Sequence, residues 1–367
     1  MPFADELVNG HTVRLLTRAV RSALPGVEPA SLRAAAQRLG PLPLRERADL
    51  LRDALLVDVP GGYAELAGVV RAARDAVPGF GGWLIWPVTS AVAAKAVAEG
   101  TDTAFDDAMA LLADLTGRLT SEFALRILLR HDLDRALGII AGWTAATDPD
   151  VRRLAVEGTR PYLPRSVPVP ELVARPGATV PVLDALHRDD SEYVRRSVAD
   201  HLDDLGRGHA DLAVATARRW LDAPAPTTGR LVRRGLRTLV KRRHPGALEL
   251  LGFTSATLEV DGPVLDRTRV PFGGSVRFTA TIRNVGASDA RLAIDYVVHH
   301  RGADGSRSTR TFKLTARAVA PDETIAVTRE HSFRPLATRG CHPGRHAIAL
   351  HINGVTSDLA EFEIQAP

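Results

Sequence analysis

The spacing of apolar residues changes once along this 367-residue chain, near residue 252, and that change rules out a fold of one architecture. Before it, apolar residues recur at the 3.6-residue period of helices with one buried face. Phe123, Ala124, Ile127 and Leu128 form one such stripe. Val194, Val198, Leu202 and Leu205 form a second, and Leu231, Val232, Leu236, Leu239 and Val240 a third. After residue 252 the period is two. Val276, Phe278, Ala280 and Ile282 alternate with polar residues, as do Leu292, Ile294, Tyr296 and Val298. Phe312, Leu314, Ile325, Val327, Ile348, Leu350 and Ile352 continue the pattern. Turn residues separate the runs at Gly273-Gly274, Asn284 to Gly286, Asp304-Gly305, Pro321-Asp322 and Asn353-Gly354. About seven short strands in 115 residues predict an immunoglobulin-like β-sandwich, here without the Cys…Trp…Cys core. The expected domains are 1–252, helical, and 253–367, a β-sandwich.

A repeat runs through the helical part. Val-Arg-Arg occurs at Val151–Arg153, Val194–Arg196 and Val232–Arg234, at intervals of 43 and 38 residues. An apolar stretch precedes each copy, at Ala136–Trp143, Val180–Leu186 and Leu212–Leu221. Helix pairs repeating at roughly 40 residues are the pattern of a HEAT-type α-solenoid. In such a stack the valine turns inward and the two arginines flank the exposed edge of the second helix. Asp148-Pro149 and Ser191-Glu192 read as helix starts. Pro161–Pro176 reads as a longer connection.

A composition of 45% hydrophobic residues excludes a disordered chain. No apolar run approaches the ~18 residues that span a bilayer, so no membrane partner is expected. The first residues lack a basic stretch followed by an apolar one, so no secretory signal is read. The single cysteine, Cys341, excludes an internal disulfide and a multi-cysteine zinc site. The cytoplasm is the expected compartment. Charge is uneven: residues 1–150 carry net −4, 151–252 net +6 and 253–367 net +2. A basic middle third suits a polyanion partner. It also suits an arginine-rich composition, since only Lys95, Lys241 and Lys313 are lysines.

The common catalytic signatures are missing. There is no phosphate-binding Walker loop, HExxH, GxSxG, or GxGxxG after a strand. His299-His300 lies on an expected strand, where neighbours face opposite ways and cannot hold one metal. No metal and no cofactor are expected. What remains is acids among arginines. Glu122, Glu157 and Asp204 each sit on a helix of a successive layer, so they can converge, or they can serve as ordinary salt bridges. Glu157 and Arg160 are three apart, on one side of a helix.

Several strings carry a resemblance. They are Glu122–Arg126 (EFALR), Asp148–Pro161 (DPDVRRLAVEGTRP), Asp190–Asp204 (DSEYVRRSVADHLDD), Leu231–Lys241 (LVRRGLRTLVK) and His244–Phe253 (HPGALELLGF), with Gly82–Pro87 (GWLIWP) nearer the start. The chain resembles the AlkC branch of the DNA alkylation repair proteins, HEAT-like relatives of AlkD, some of which end in a β-sandwich. The resemblance implies a monofunctional DNA glycosylase that removes cationic N-alkylated bases, such as 3-methyladenine or 3-methylcytosine, from duplex DNA without flipping them. It implies Glu122, Glu157 and Asp204 as catalytic acids. Arg152, Arg153, Arg195, Arg196, Arg233, Arg234, Arg237 and Lys241 become candidate phosphate contacts. The sandwich offers Arg339, with Arg307, Arg310, Lys313 and Arg345.

The family's Arg-Pro-x-Leu-Pro-Trp reads Arg160-Pro-Tyr-Leu-Pro-Arg165 here, so Arg165 replaces a tryptophan. Ile127-Leu128 stands where Pro-Phe is common. Arg160, Tyr162, Arg165 and Trp143 are the candidate lesion contacts, while Trp83 and Trp86 are expected to pack. A monomer, bound to the nucleoid when it holds DNA, is the expected form. The alternatives are a binder of alkylated DNA without turnover and a HEAT-repeat protein adaptor.

Overall fold

The structure is a computed structural model that describes residues 4–253, 257–301, 306–334, 342–353 and 355–366. Its first compact unit ends at Thr238 and its second begins at Leu239. The first unit is helical and stacks helices in two rows. One row runs Leu44–Asp58, Ile85–Glu99, Glu122–His131, Pro149–Glu157, Glu192–Gly208 and Thr228–Gly235. The other runs Gly10–Ala23, Tyr63–Ala76, Asp102–Leu115, Leu133–Trp143, Val180–Leu186 and Ala210–Asp222. Successive helix pairs bury a continuous aliphatic core, with Leu125, Leu128, Leu154, Leu183, Val198, Leu202 and Val232 fully enclosed. That is the α-solenoid the repeat implied.

Local chemistry sets the helix starts. The Asp148 carboxylate accepts from Asp150 N at 2.8 Å, with Pro149 in the first turn, where its missing N–H costs nothing. Two glycines allow close approach within the first row. A Cβ on Gly158 would stand 2.4 Å from Leu125 Cδ2, and one on Gly235 would stand 2.6 Å from Leu202 Cδ2. The stripe over 231–240 is not one helix. It breaks at Leu236 into Thr228–Gly235 and Arg237–Lys241, where Gly235 presses onto the neighbouring helix. The 161–176 connection contains a short helix, Pro170–Ala174. Val194 and Val232 turn inward as the repeat required, whereas Val151 stays half-buried.

The second unit holds nine strands among its described residues. They are β1 (Leu258–Leu265), β2 (Arg269–Val270), β3 (Ser275–Asn284), β4 (Ala290–Arg301), β5 (Arg307–Val319), β6 (Thr324–Ser332), β7 (Gly344–Ile352), β8 (Val355–Thr356) and β9 (Ala360–Ile364). One sheet has the order β1-β3-β6, the other β2-β9-β7-β4-β5, with β8 paired to β7. Phe278 and Ile282 of the first sheet pack against Ile294, Tyr296 and Ile348 of the second. β3 alternates buried and exposed positions without a break, the mark of a half-covered sheet. β7 is covered on both faces, which is why its sequence does not alternate cleanly. β1, β2, β8 and β9 were not legible from periodicity. Asp322 and Asn353 take left-handed φ values of 60° and 46° at two of the expected turns. Asp304-Gly305, Arg339 and Cys341 lie outside the described residues.

Candidate active site

The three acids meet. Glu122 opens the Glu122–His131 helix, Glu157 closes the Pro149–Glu157 helix, and Asp204 lies in the Glu192–Gly208 helix, all in one row. An unbroken chain of ion pairs joins them. Arg153 Nη1 donates to Glu122 Oε2 at 2.7 Å, and Arg153 Nη2 stands 3.8 Å from Glu157 Oε2. Arg160 Nη1 donates to Glu157 Oε1 at 2.6 Å, and its Nε to Asp204 Oδ2 at 2.8 Å. Arg153 and Arg160 bridge the three carboxylates, and Arg207 pairs with Asp204 as well, so three guanidiniums meet three acids.

Exposure grades the acids. Glu122 and Glu157 keep 8% and 7% of their surface, while the Asp204 side chain is fully enclosed. Asp204 Oδ1 accepts no hydrogen bond, and Arg207 Nη2 stands 3.4 Å away. Burial pushes the Asp204 carboxyl above its ordinary range, against the pull of Arg160. Glu122 also accepts from Thr120 Oγ1 at 3.0 Å.

The scaffold behind the acids was not singled out in the sequence. Arg126 is 1% exposed and, among the described residues, donates to main-chain carbonyls: Val167 O at 2.8 Å, Gly158 O at 3.2 Å, and Arg160 O. It pins the 158–167 segment that carries Arg160, Tyr162 and Arg165. Burial pulls its guanidinium down to about 10, with Asp204 opposing, so it stays charged at neutral pH. Its signal was a lone arginine inside an apolar helix face. His201, one turn before Asp204, is fully buried between Val156 O and Thr179 Oγ1, each at 3.1 Å. Burial lowers it to about 3, so the ring is neutral. Tyr193 carries the Arg153 guanidinium over its ring at 4.9 Å.

The other candidates divide sharply. Arg160, expected at the lesion, is buried with both acids in its grip. Arg152 and Arg153 do not flank an open edge, because Arg152 is clamped by Asp189 at 2.6 Å and by Ala146 O and Thr147 O, and Arg153 by Glu122. Arg234 and Arg237 are tied to Asp200, and Arg237 to Asp203 as well. Arg195 donates to the carbonyls of Asp189 and Asp190. Arg196, Arg233 and Lys241 are exposed and form no ion pair among the described residues. Arg196 and Arg233 line a groove of about 440 Å³ with Arg195, Arg230 and Arg234, between the Glu192–Gly208 and Thr228–Gly235 helices. Tyr162 is exposed beneath Arg207, 5.7 Å from the guanidinium. Trp143 ends its helix half-buried, outside the ion-pair chain. Trp86 is buried and stacks on Phe123, with ring centroids 4.0 Å apart. In the sandwich, Arg310, Lys313 and Arg345 are exposed. Among the described residues no group of three His, Cys, Asp or Glu could hold a metal ion, and no helix is long and apolar enough to cross a membrane.

Residues 259–366 match the family model described as the C-terminal Ig-like domain of the uncharacterised protein YhaZ. Over 324 residues, 88% of each chain, the sequence is 30% identical to the uncharacterized protein YhaZ of Bacillus subtilis strain 168. The structure of Pseudomonas fluorescens alkylpurine DNA glycosylase AlkC, bound to DNA containing an abasic site analog, aligns over 100% of both chains with a TM-score of 0.77 and 28% identity. The chain belongs to the AlkC-type DNA alkylation repair family. Helical repeats followed by an immunoglobulin-like domain are thus the AlkC-type architecture here too. Within this AlkC-type chain the acids occupy three layers of one helical row. Arg165 lies exposed on the segment that Arg126 holds.

Proposed function

We propose that this protein is a monofunctional DNA glycosylase that hydrolyses the N-glycosidic bond of cationic N-alkylated bases in duplex DNA. The substrates are of the 3-methyladenine and 3-methylcytosine class, and the base is not flipped into a pocket. The observation that carries this reading is the chain Glu122–Arg153–Glu157–Arg160–Asp204, three acids drawn together in a helical row that also carries an arginine-lined groove.

Alkylation of a ring nitrogen leaves the base positively charged before any bond breaks. The base departs with the glycosidic electron pair and becomes neutral, so no leaving-group proton is needed. The positive charge moves to the sugar as an oxocarbenium-like cation. The enzyme then has to stabilise that cation and bring a water to C1′. Glu157 suits the stabilising role, because Arg160 fixes one of its oxygens while the other has only a distant Arg153. Glu122 suits the role of base, accepting the proton of the attacking water. Asp204 adds negative charge from beneath and anchors Arg160, which aims Glu157. Arg196 and Arg233 grip phosphates, a contact that reads no sequence but sets register. The protein acts as a cytoplasmic monomer, without metal or nucleotide.

Release of modified bases from methylated duplex tests the reading, measured by mass analysis beside Pseudomonas fluorescens AlkC. Base release without any added cofactor is expected. No release while the comparison enzyme works ends the proposal, and lesion-preferring binding without turnover replaces it with a damage binder. Glu157→Gln should bind duplex like wild type and lose excision by a factor on the order of 10³. Unchanged excision removes Glu157 from its role.

A further inference from the structure

Glu157 is the last residue of its helix, where the partial negative charge of the main-chain carbonyls opposes a carboxylate. The carbonyls around it are nonetheless tied down one by one. Thr159 Oγ1 donates to Ala155 O at 2.7 Å and stands 3.1 Å from Val156 O. Arg160 N donates to Glu157 O at 3.3 Å. The other donors come from the helices on either side. Arg126 reaches Gly158 O and Arg160 O, and His201 Nδ1 stands 3.1 Å from Val156 O. A carbonyl only accepts, so Nδ1 of His201 carries the proton, and its Nε2 accepts from the Thr179 hydroxyl. Arg126, Thr159 and His201 are all enclosed.

Each of the two outer grips sits one turn from another acid. Arg126 follows Glu122 by four residues on the Glu122–His131 helix, and His201 precedes Asp204 by three on the Glu192–Gly208 helix. One neighbour thus supplies an acid and holds the chain just after Glu157. The other supplies an acid and holds the residue just before it. The ion pairs of the centre join the tips of long side chains, which can follow a helix that shifts. Hydrogen bonds to the main chain cannot follow it, so these grips set how far apart the acids stand. Reacting groups tolerate little error, since a shift of about 1 Å costs on the order of a hundredfold in rate.

We infer that Arg126 and His201 are positioning residues for base excision, two main-chain clamps that hold Glu157 in place between Glu122 and Asp204. The inference rests on the glycosylase reading and deepens it. Arg47 provides a comparison within the same row. It is also buried and donates to three carbonyls, Val8 O, Gly40 O and Leu42 O, but none of them adjoins an acid of the centre.

The test measures single-turnover excision and affinity for abasic-analogue duplex, on the full chain, at a temperature where circular dichroism shows each variant folded. Arg126→Gln and His201→Leu should each lose about a hundredfold in rate at saturating duplex, with affinity kept. Arg47→Gln should lose stability and keep its rate. The milder Arg126→Lys and His201→Asn each keep a donor for one carbonyl and should recover part of the rate. Added to Glu157→Gln, Arg126→Gln should cost no further factor, because it acts through that acid. A wild-type rate in folded Arg126→Gln or His201→Leu overturns the inference. So does an equal loss in Arg47→Gln, which would make the effect one of stability alone, or a full further factor on Glu157→Gln. Each of these leaves the glycosylase reading intact, whereas a wild type that releases no base overturns both.

Discussion

In the helical unit, Glu122, Glu157 and Asp204 are enclosed with Arg153 and Arg160, charge against charge. The sandwich also encloses polar side chains, here tyrosine and histidine rings packed among phenylalanines. Tyr296 Oη lies 3.0 Å from His331 Nδ1, and Phe312 and Phe333 each stack edge-on against His331 at 4.8 Å. His346 Nε2 lies 2.9 Å from His342 O, and burial lowers its pKa, which keeps the ring neutral. Neutral polar groups with a partner cost little when buried, so the aromatic cluster is a core. Buried charges cost several kcal/mol each in lost hydration, and their mutual attraction barely returns it. A fold gains nothing in stability from the helical arrangement that leucines would not supply. The acids are therefore the region where stability has been given up, as the proposed chemistry requires.

Three measurements can break or sharpen that contrast. The largest effect is expected from Arg160→Met, which strips Glu157 and Asp204 of their shared cation. Urea unfolding followed by helical circular dichroism should show a loss of about 3 kcal/mol or more. A loss below about 1 kcal/mol, the range of exposed pairs, means that the acids are not held as charges.

Second comes pH. The unfolded His201 ring takes a proton near 6.5, and the buried one only near 3. Its stabilising contribution is therefore complete above 6.5 and is lost as pH falls from 6.5 towards 3. From pH 6.5 to 5 the helical unit should lose about 2 kcal/mol, since each pH unit is worth about 1.4. Asp204 works in the opposite sense, because its raised pKa favours the native state on acidification, but only nearer the carboxylate range. A His201→Gln variant that folds yet keeps the full slope assigns it elsewhere.

The smallest effect belongs to the sandwich. Tyr296→Phe deletes the hydroxyl that meets His331 and Arg329 and should cost about 1 kcal/mol with base excision unchanged. A drop in excision from that change would show that the neutral core is coupled to the chemistry.

The periodicity of the sequence determined the two architectures, because burial on one face imposes 3.6 on a helix and 2 on a strand. The Val-Arg-Arg repeat determined the layering, and with it which helices carry the acids. Which arginines stay open at the surface was decided by tertiary structure. Arg153 and Arg196 are the second arginines of their repeats, yet Glu122 pairs with one and no described carboxylate pairs with the other. The same holds for Arg126, whose role rests on carbonyls more than thirty residues away in the chain. Periodicity reports which face of an element is buried. It carries no record of which partner from another layer arrives there, since that depends on how helices cross and where a glycine lets them touch.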